Sequence, residues 1–398
     1  MFNSAMVSLG KKRSVIRDLF EYGKQYQKEH PGAPIYDFTL GNPSVPAPEA
    51  VKNAAIRLLK EDATVHAYTS AQGDESVREQ IALFNREKYG LPIEKDRVYL
   101  TCGAAAGLAI ALRALVTETQ DEVVVFAPFF PEYDVFIKNA GGKTVIVPFS
   151  DPDHPVDFDA LSRAISEKTA AVIVNSPNNP SGMVYSKAVL EKIAAVLRAA
   201  EKKTGNVIVL LSDEPYREIS FGSEVLSPLS FYDDAVLCYS YSKSLALPGE
   251  RIGFLAVSEN MAAGAELYEA ILGAGRSMGY VCAPSLFQKV VGLCAEEPSF
   301  IEPYRENRDI FYAALKGYGY EVFLPQGAFY LMMKAPGGDA NAFSCAAKKR
   351  GLLLVPTDSF AAPGFLRIAT CVPKKRVLAS LPVFEALAKD CGVFPEGK

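Results

Sequence analysis

The sequence has few residues of the types that bind metals or form disulfides. It contains only three histidines, and none of its seven cysteines stands in a CxxC spacing. Disulfide frameworks and thiolate metal sites need cysteines at characteristic spacings, so neither organises this chain. Scattered cysteines, odd in number, indicate a reducing compartment, and we expect a cytoplasmic protein without a metal site.

Long apolar segments and a strong excess of charge are also missing. No run reaches the roughly 18 apolar residues that a membrane-spanning helix needs, and the N-terminal sequence lacks the continuous apolar core of a secretory signal. The net charge of −4 gives no general attraction to nucleic acids or to anionic membranes. We therefore expect neither nucleic acid nor membrane as a partner.

The sequence does contain a series of short apolar runs separated by segments of helix length. At 398 residues it is too long for one typical core, so two domains or one large α/β domain with additions are expected. Several runs are apolar without alternation, which is typical of strands covered by helices on both faces of a sheet. The series predicts an α/β fold with a mostly parallel central sheet. The predicted strands are Val98–Thr101, Glu122–Ala127, Thr144–Phe149, Ala170–Asn175, Asn206–Ser212, Val236–Tyr241 and Ile252–Val257.

The pattern changes near residue 290. A long helical stretch, Glu302–Gly317, is followed by short predicted strands and two further helices, which indicates a smaller α+β domain. We divide the chain into an N-terminal segment 1–45 (an arm and part of the small domain), a large α/β domain 46–290 and a C-terminal small α+β domain 291–398.

A single lysine, Lys243, follows the predicted strand Val236–Tyr241. A lysine at the mouth of a sheet can be held in a drier place than bulk water, which lowers its pKa and makes the neutral amine a nucleophile toward an aldehyde. Ser240, Ser242 and Arg251 nearby supply hydroxyls and a guanidinium that suit a dianionic phosphate. Pyridoxal 5'-phosphate (PLP) combines an aldehyde with a phosphate, whereas an ordinary surface lysine is the alternative for this residue alone.

Other predicted strands also end in polar or small residues, and open parallel sheets bind ligands at that edge. Asp213 ends an apolar strand, where a carboxylate needs a positive partner such as a protonated ring nitrogen. The small residues 103–105 precede a helix whose N-terminus would receive a phosphate. The predicted cofactor contacts are Gly103, Ala104, Ala105, Phe130 on the ring face, Asn179 and Tyr216 at the ring 3'-oxygen, Asp213, Ser240, Ser242, Lys243 and Arg251.

In their order and spacing these residues resemble the class I/II aminotransferase family of fold-type I PLP enzymes, which is aspartate aminotransferase-like. The resemblance covers essentially the whole chain. The motifs that carry it are Gly41-Asn42-Pro43, Tyr68 to Gly73, Thr101-Cys102-Gly103, Pro128-Phe129-Phe130, Asn178-Asn179-Pro180-Ser181-Gly182, Asp213-Glu214-Pro215-Tyr216, Ser240-Tyr241-Ser242-Lys243 with Arg251-Ile252-Gly253, and Phe365-Leu366-Arg367.

The resemblance implies a fold, a reaction and further site residues. The fold would be the three-layer PLP-dependent transferase fold, in a homodimer with shared active sites. The reaction would be transfer of an amino group from an L-amino acid to a 2-keto acid such as 2-oxoglutarate, through a Lys243 aldimine and pyridoxamine phosphate. Tyr68 would reach the neighbouring subunit's cofactor phosphate, Gly41 and Asn179 would lie beside the substrate, and Arg367 would bind its α-carboxylate.

The sequence departs from the family pattern at the residue that would stack on the cofactor ring and at residues that would select the substrate's side chain. Many members have Trp or Tyr where this chain has Phe130, and some aspartate-specific members have a lysine at the position of Ala105. Arg276 lies near the place where other dicarboxylate-specific members supply an arginine across the interface, in a slightly different register. A surface or interdomain arginine is the alternative there, and Phe329, Tyr330 and Tyr280 could equally line a pocket for apolar side chains.

Two other functions are compatible with part of this pattern. A PLP lyase of the same fold, such as a cysteine-S-conjugate β-lyase, would share most of the site. A PLP-sensing regulatory module would need a DNA-binding domain, and the chain has no basic helix-turn-helix segment. The aminotransferase is therefore the primary hypothesis.

Overall fold

Helices and strands alternate through most of the chain. The computed structural model of the protein describes residues 2–11, 15–149 and 155–395. In these ranges the strands are β1 (Tyr36–Asp37), β2 (Val98–Thr101), β3 (Glu122–Phe126), β4 (Lys143–Val147), β5 (Thr169–Asn175), β6 (Val209–Asp213), β7 (Ala235–Ser240), β8 (Gly253–Val257), β9 (Val322–Phe323), β10 (Tyr330–Lys334), β11 (Leu352–Leu353), β12 (Val355–Pro356) and β13 (Phe365–Ala369). The α-helices are α1 (Ser4–Lys11), α2 (Val15–Glu29), α3 (Glu49–Glu61), α4 (Glu75–Tyr89), α5 (Ala104–Leu115), α6 (Glu132–Ala140), α7 (Phe158–Ala164), α8 (Lys187–Thr204), α9 (Tyr241–Ser244), α10 (Gly264–Ser277), α11 (Ser285–Leu293), α12 (Glu302–Gly317), α13 (Ala340–Lys348) and α14 (Lys374–Asp390).

The largest sheet has seven strands in the order β2-β8-β7-β6-β5-β3-β4. The strands β7, β6, β5, β3 and β4 run parallel to one another. Strand β8 is antiparallel to both of its neighbours, β2 and β7. The predicted mostly parallel central sheet is therefore confirmed.

Both faces of this sheet are buried. In β3, Val124 and Phe126 belong to one hydrophobic core, whereas Val123 and Val125 belong to another. Successive strand residues point to opposite faces, so the two cores lie on opposite sides of the sheet. This explains why the strand sequences are apolar without alternation. A sheet with a core on each face is the three-layer arrangement that the resemblance implies.

A second, antiparallel sheet has the order β12-β13-β10-β9 and lies in the C-terminal part of the chain. Its core includes Phe311, Leu331 and Phe384, together with Phe38 from the N-terminal segment. Strand β1 pairs in parallel with β11 and ties that segment to the C-terminal part. The domain boundaries near residues 45 and 290 stay a prediction.

Local boundaries differ from the sequence-based expectations at several elements. One of the short strands predicted after Glu302–Gly317, near Leu352–Val355, is divided between two sheets, as β11 and β12. Helices α1, α6, α9, α10 and α11 were not predicted. Glycines weaken the helical signal of α10, but Gly275 has a packing reason. A Cβ at Gly275 would lie 2.3 Å from the hydroxyl of Tyr99, so the helix needs glycine at this contact.

In the described ranges no helix is long and apolar enough to cross a membrane. In the same part of the chain, no three His, Cys, Asp or Glu side chains are grouped as ligands of one metal ion would be. Polar side chains gather instead at one edge of the seven-stranded sheet.

Candidate active site

A cavity of about 300 Å³ lies where three parallel strands end at the same edge of the sheet. Asn175, Asp213 and Ser240 are the last residues of β5, β6 and β7, and all three line it. Ligands of open α/β sheets bind at this edge. The predicted residues that line the cavity are Gly41, Ala104, Ala105, Phe130, Asn179, Asp213, Tyr216, Ser240, Ser242, Lys243, Arg251 and Arg367.

Lys243 lies in the short helix α9, directly after β7. Its Nζ donates a hydrogen bond to the carbonyl oxygen of Gly41 at 2.5 Å and lies 5.4 Å from the ring centroid of Phe329. Burial lowers the pKa of Lys243 to about 8, and the positive charges of Arg251 and Arg367 act in the same direction. The neutral amine, the form that a nucleophile or base requires, is therefore more populated near neutral pH than in an exposed lysine.

Asp213 is a buried carboxylate with one bonded and one unbonded oxygen. Its Oδ2 accepts a hydrogen bond from the hydroxyl of Tyr133 at 2.5 Å. Its Oδ1 has no donor within the described part of the chain. Burial raises the pKa of Asp213 to about 7, which the hydrogen bond from Tyr133 opposes. A free carboxylate oxygen on the wall of a cavity suits a cationic N–H donor.

Hydroxyls, a guanidinium and a helix N-terminus meet around Gly103. Ser240 Oγ lies 2.8 Å from Ser242 Oγ, to which Arg251 Nη1 donates at 3.2 Å. Gly103 has φ +83° and immediately precedes α5, and a Cβ there would lie 2.7 Å from Arg251 Nη2. The positive φ favours glycine here, and a side chain would also displace the guanidinium of Arg251. The N-terminus of α5, the two hydroxyls and the guanidinium together form a group of donors that can bind an anion.

Arg367 of β13 is buried, with 2% of its surface exposed. Its Nη1 donates to Asn179 Oδ1 at 3.0 Å and its Nη2 donates to the carbonyl oxygen of Thr39 at 2.5 Å. Its Nε has no acceptor among the residues that the structure describes. A buried guanidinium needs an anionic partner, and a carboxylate ligand would provide one with matching geometry.

Three further hydrogen bonds join residues around the cavity. The backbone N–H of Asn179 donates to Asn175 Oδ1 at 2.8 Å, and Asn175 Nδ2 donates to the carbonyl oxygen of Asp213 at 2.8 Å. The hydroxyls of Tyr216 and Tyr330 lie 3.1 Å apart. Burial raises the pKa of Tyr216 well above its usual value, so this phenol remains a proton donor.

Two predicted residues do not line the cavity, and two residues that were not predicted contribute to the site. Gly103 adjoins the cavity through Arg251, whereas Tyr68 lies outside it, with 88% of its surface exposed. Tyr133 and Asn175 were not among the predicted site residues. The position of Asn175 was a usable signal, because it is a polar residue at the end of the predicted strand Ala170–Asn175. Asp213, directly after the predicted strand Asn206–Ser212, was found by the same signal. Tyr133 follows Phe130 by one helical turn, but no sequence pattern shows that it reaches Asp213.

Comparison with known proteins identifies the family to which this chain belongs. A sequence model described as aminotransferase class I and II matches residues 33–381. The chain belongs to this family. The aminotransferase uses PLP as its cofactor, as this family does, and the predicted activity is confirmed. The lyase that the sequence left open is not favoured.

Individual relatives of the aminotransferase match over nearly all of their length. The aspartate aminotransferase of Thermotoga maritima is 29% identical over 358 residues, which cover 89% of this chain and 91% of the relative. A crystal structure of an amino transferase from Eubacterium rectale is 46% identical, with a TM-score of 0.95 and coverage of 98% and 99%. The Thermus thermophilus aspartate aminotransferase with maleate is 26% identical, with a TM-score of 0.87 and coverage of 97% and 100%.

Proposed function

We propose that this aminotransferase transfers an amino group from an L-amino acid to 2-oxoglutarate, at a site built around Lys243. The supporting observation is that three incompletely satisfied groups share one cavity. Lys243 has a lowered pKa, while Asp213 Oδ1 lacks a donor and Arg367 Nε lacks an acceptor among the described residues. PLP and an α-carboxylate supply one partner for each, namely an aldehyde, a protonated ring nitrogen and an anion.

The other residues around the cavity fit the rest of the cofactor. The two hydroxyls and the guanidinium near the start of α5 suit its phosphate, and Phe130 offers an aromatic face for its ring. The amide of Asn179 and the phenol of Tyr216 suit its 3'-oxygen. We assign to the phosphate Gly103, Ala104, Ala105, Ser240, Ser242 and Arg251.

Each charged residue then has a defined task in the reaction. PLP, when bound, supplies an electron sink that acidifies the Cα–H bond of an attached amino acid. Lys243 is the covalent anchor and, once freed, the base that carries the proton from Cα. Asp213 keeps the ring nitrogen protonated, and Arg367 holds the α-carboxylate and thereby orients the Cα–H bond.

The protein is further proposed to act as a cytoplasmic homodimer with shared sites. The side chain of Tyr68 is exposed and does not line the cavity of its own subunit, which supports a role at the partner's cofactor phosphate. All seven cysteines are free thiols, which supports a reducing compartment.

The donor and acceptor are testable by the absorbance of the bound cofactor. Purified protein with added PLP should show a visible band that a suitable amino acid bleaches and 2-oxoglutarate restores. Aspartate is the first donor to test, because it is named for relatives of this chain. No band despite added PLP would contradict the proposed site, and pyruvate and ammonia released without an acceptor would indicate a β-lyase.

Arg276 is the proposed partner of a distal carboxylate in the neighbouring subunit. It is exposed in the last turn of α10 and does not line the cavity of its own subunit. We expect Arg276→Ala to lower kcat/KM for aspartate relative to alanine by about 30-fold or more, because a desolvated carboxylate would lose its counter-charge. Initial rates with both donors give this ratio.

An exposed arginine in an equivalent setting provides the control. Arg113 lies in the last turn of α5, and Arg113→Ala should leave the ratio unchanged. If Arg276→Ala also left it unchanged, Arg276 would be an ordinary surface residue and the distal carboxylate would need another partner.

A further inference from the structure

Tyr330 contacts several functional groups of the site, yet the proposed reaction gives it no task. It is the first residue of β10, is 3% exposed and lines the cavity. Its hydroxyl and its ring face different partners, and the two contacts are separable by substitution.

The hydroxyl of Tyr330 lies 3.1 Å from that of Tyr216, and either oxygen could donate in this pair. A phenol has a single proton to donate. Because Tyr216 is proposed to donate its proton to the cofactor 3'-oxygen, Tyr330 must be the donor between the two hydroxyls. A donor to Tyr216 polarises its O–H bond and strengthens the hydrogen bond that Tyr216 itself makes.

The ring of Tyr330 supports Arg367. The guanidinium carbon lies 4.5 Å from the centroid of this ring and 5.2 Å from that of Phe360. With the hydrogen bonds to Asn179 and Thr39, these two rings hold the guanidinium from several directions. A cation over an aromatic face in a desolvated site is attracted to it, which fixes the position of Arg367.

The backbone of Gly41 confines Tyr330 on a further side. A Cβ at Gly41 would lie 1.8 Å from the hydroxyl oxygen of Tyr330, so only glycine permits this close packing. The carbonyl oxygen of the same glycine accepts from Lys243. Tyr330 is therefore held between Gly41, Tyr216 and Arg367, and it has little freedom to adopt another rotamer.

We propose that Tyr330 is a positioning residue that couples the carboxylate-binding Arg367 to the cofactor-binding Tyr216. Its ring orients the guanidinium, and its hydroxyl directs the proton of Tyr216 toward the cofactor. The proposal rests on the proposed function of these two residues. It predicts that the hydroxyl affects the pH midpoint of the cofactor's absorbance change, whereas the ring affects KM for the amino acid.

Two substitutions in the cofactor-bound enzyme separate the contributions. Tyr330→Phe removes the hydroxyl and keeps the ring. A weaker donor stabilises the anionic 3'-oxygen less, so the pH midpoint of the cofactor's absorbance change should rise by roughly half a unit to one unit. KM should change little. Tyr330→Leu also removes the ring, and should raise KM for the amino acid by about twofold to thirtyfold.

A double substitution tests whether the hydroxyl acts through Tyr216. In a Tyr216→Phe background, adding Tyr330→Phe should shift the midpoint no further, because the acceptor of its proton is gone. A full additional shift would overturn the coupling. An unchanged midpoint in Tyr330→Phe alone, or an unchanged KM in Tyr330→Leu, would overturn the corresponding half of the proposal.

Controls distinguish these outcomes from misfolding and from failure of the proposed function. Tyr320 is another buried tyrosine, and its hydroxyl donates to the carbonyl oxygen of Phe384 at 2.8 Å, away from the cavity. Tyr320→Phe should lower the unfolding temperature without moving the midpoint. If the unsubstituted protein with PLP shows no absorbance band, the proposed function fails before the role of Tyr330 is tested.

Discussion

Replacing Lys243 by alanine should abolish the absorbance band of the covalently bound cofactor and lower the transamination rate by about 10⁴-fold or more. The substitution removes the only lysine that lines the cavity among the described residues, and with it both the covalent anchor and the proposed proton carrier. Spectra with added PLP, followed by single-turnover rates, measure both losses.

Reduction of the bound cofactor with borohydride gives an independent reading. In the unsubstituted protein it should attach the cofactor to the peptide that contains Lys243, which mass spectrometry detects. Lys187, with 69% of its side chain exposed, is a suitable control, and Lys187→Ala should behave as the unsubstituted protein. A cofactor attached elsewhere, or a full band in Lys243→Ala, would refute the assignment of Lys243.

Asp213→Asn should lower kcat by about 10²- to 10³-fold. The amide keeps the shape of the carboxylate but has no charge to stabilise a protonated ring nitrogen, and the loss of one partner of a buried ion pair typically has this effect. The exposed Asp233, just before β7, provides a matched control, and Asp233→Asn should retain activity. Equal activity of the Asp213 variant and the unsubstituted protein would refute the proposed pairing.

The same substitution, Asp213→Asn, should raise the stability of the cofactor-free protein. Burial raises the pKa of Asp213 to about 7 in the folded state, from 3.8. Between these pH values the folded protein retains a proton that the unfolded chain has released, so stability falls as pH rises through this window. Above pH 7 the carboxylate is ionised in both states, and the whole free-energy cost of burying its charge lowers the stability.

Urea unfolding of the cofactor-free protein measures this penalty. Relative to the unsubstituted protein, Asp213→Asn should gain on the order of 4 kcal/mol in free energy of unfolding between pH 4 and pH 8. A difference that does not change with pH would show that Asp213 is ionised in both states. The carboxylate thus illustrates how a functional group destabilises the fold that holds it.

Site residues that directly follow or end a predicted strand could be found from the sequence. Ser240, Ser242 and Lys243 occupy consecutive or alternate positions at a strand end, and Asp213 ends a neighbouring strand. Parallel strands bring such ends to one edge, so their proximity follows from the pattern of apolar runs alone. Arg367 and Gly41 became candidates only through the family resemblance, since nothing in their local sequence indicates a site.

Contacts between distant segments could not be predicted in this way. Tyr133 donates to a carboxylate 80 positions away, and the hydroxyl of Tyr330 meets that of Tyr216 across 114 positions. Such pairs depend on how helices and sheets are oriented after packing, which periodicity does not encode. The same holds for the burial that shifts the pKa values of Asp213 and Lys243.

The amino-acid sequence by itself determined the α/β class, the mostly parallel sheet and the edge at which the site lies, because apolar periodicity and strand ends are local properties. Only the tertiary structure decided which atoms of that site remain unpaired, notably Asp213 Oδ1 and Arg367 Nε, and which rings and hydroxyls hold the others. Hydrogen bonds and burial are set by neighbours in space, and those neighbours come from segments that the sequence separates.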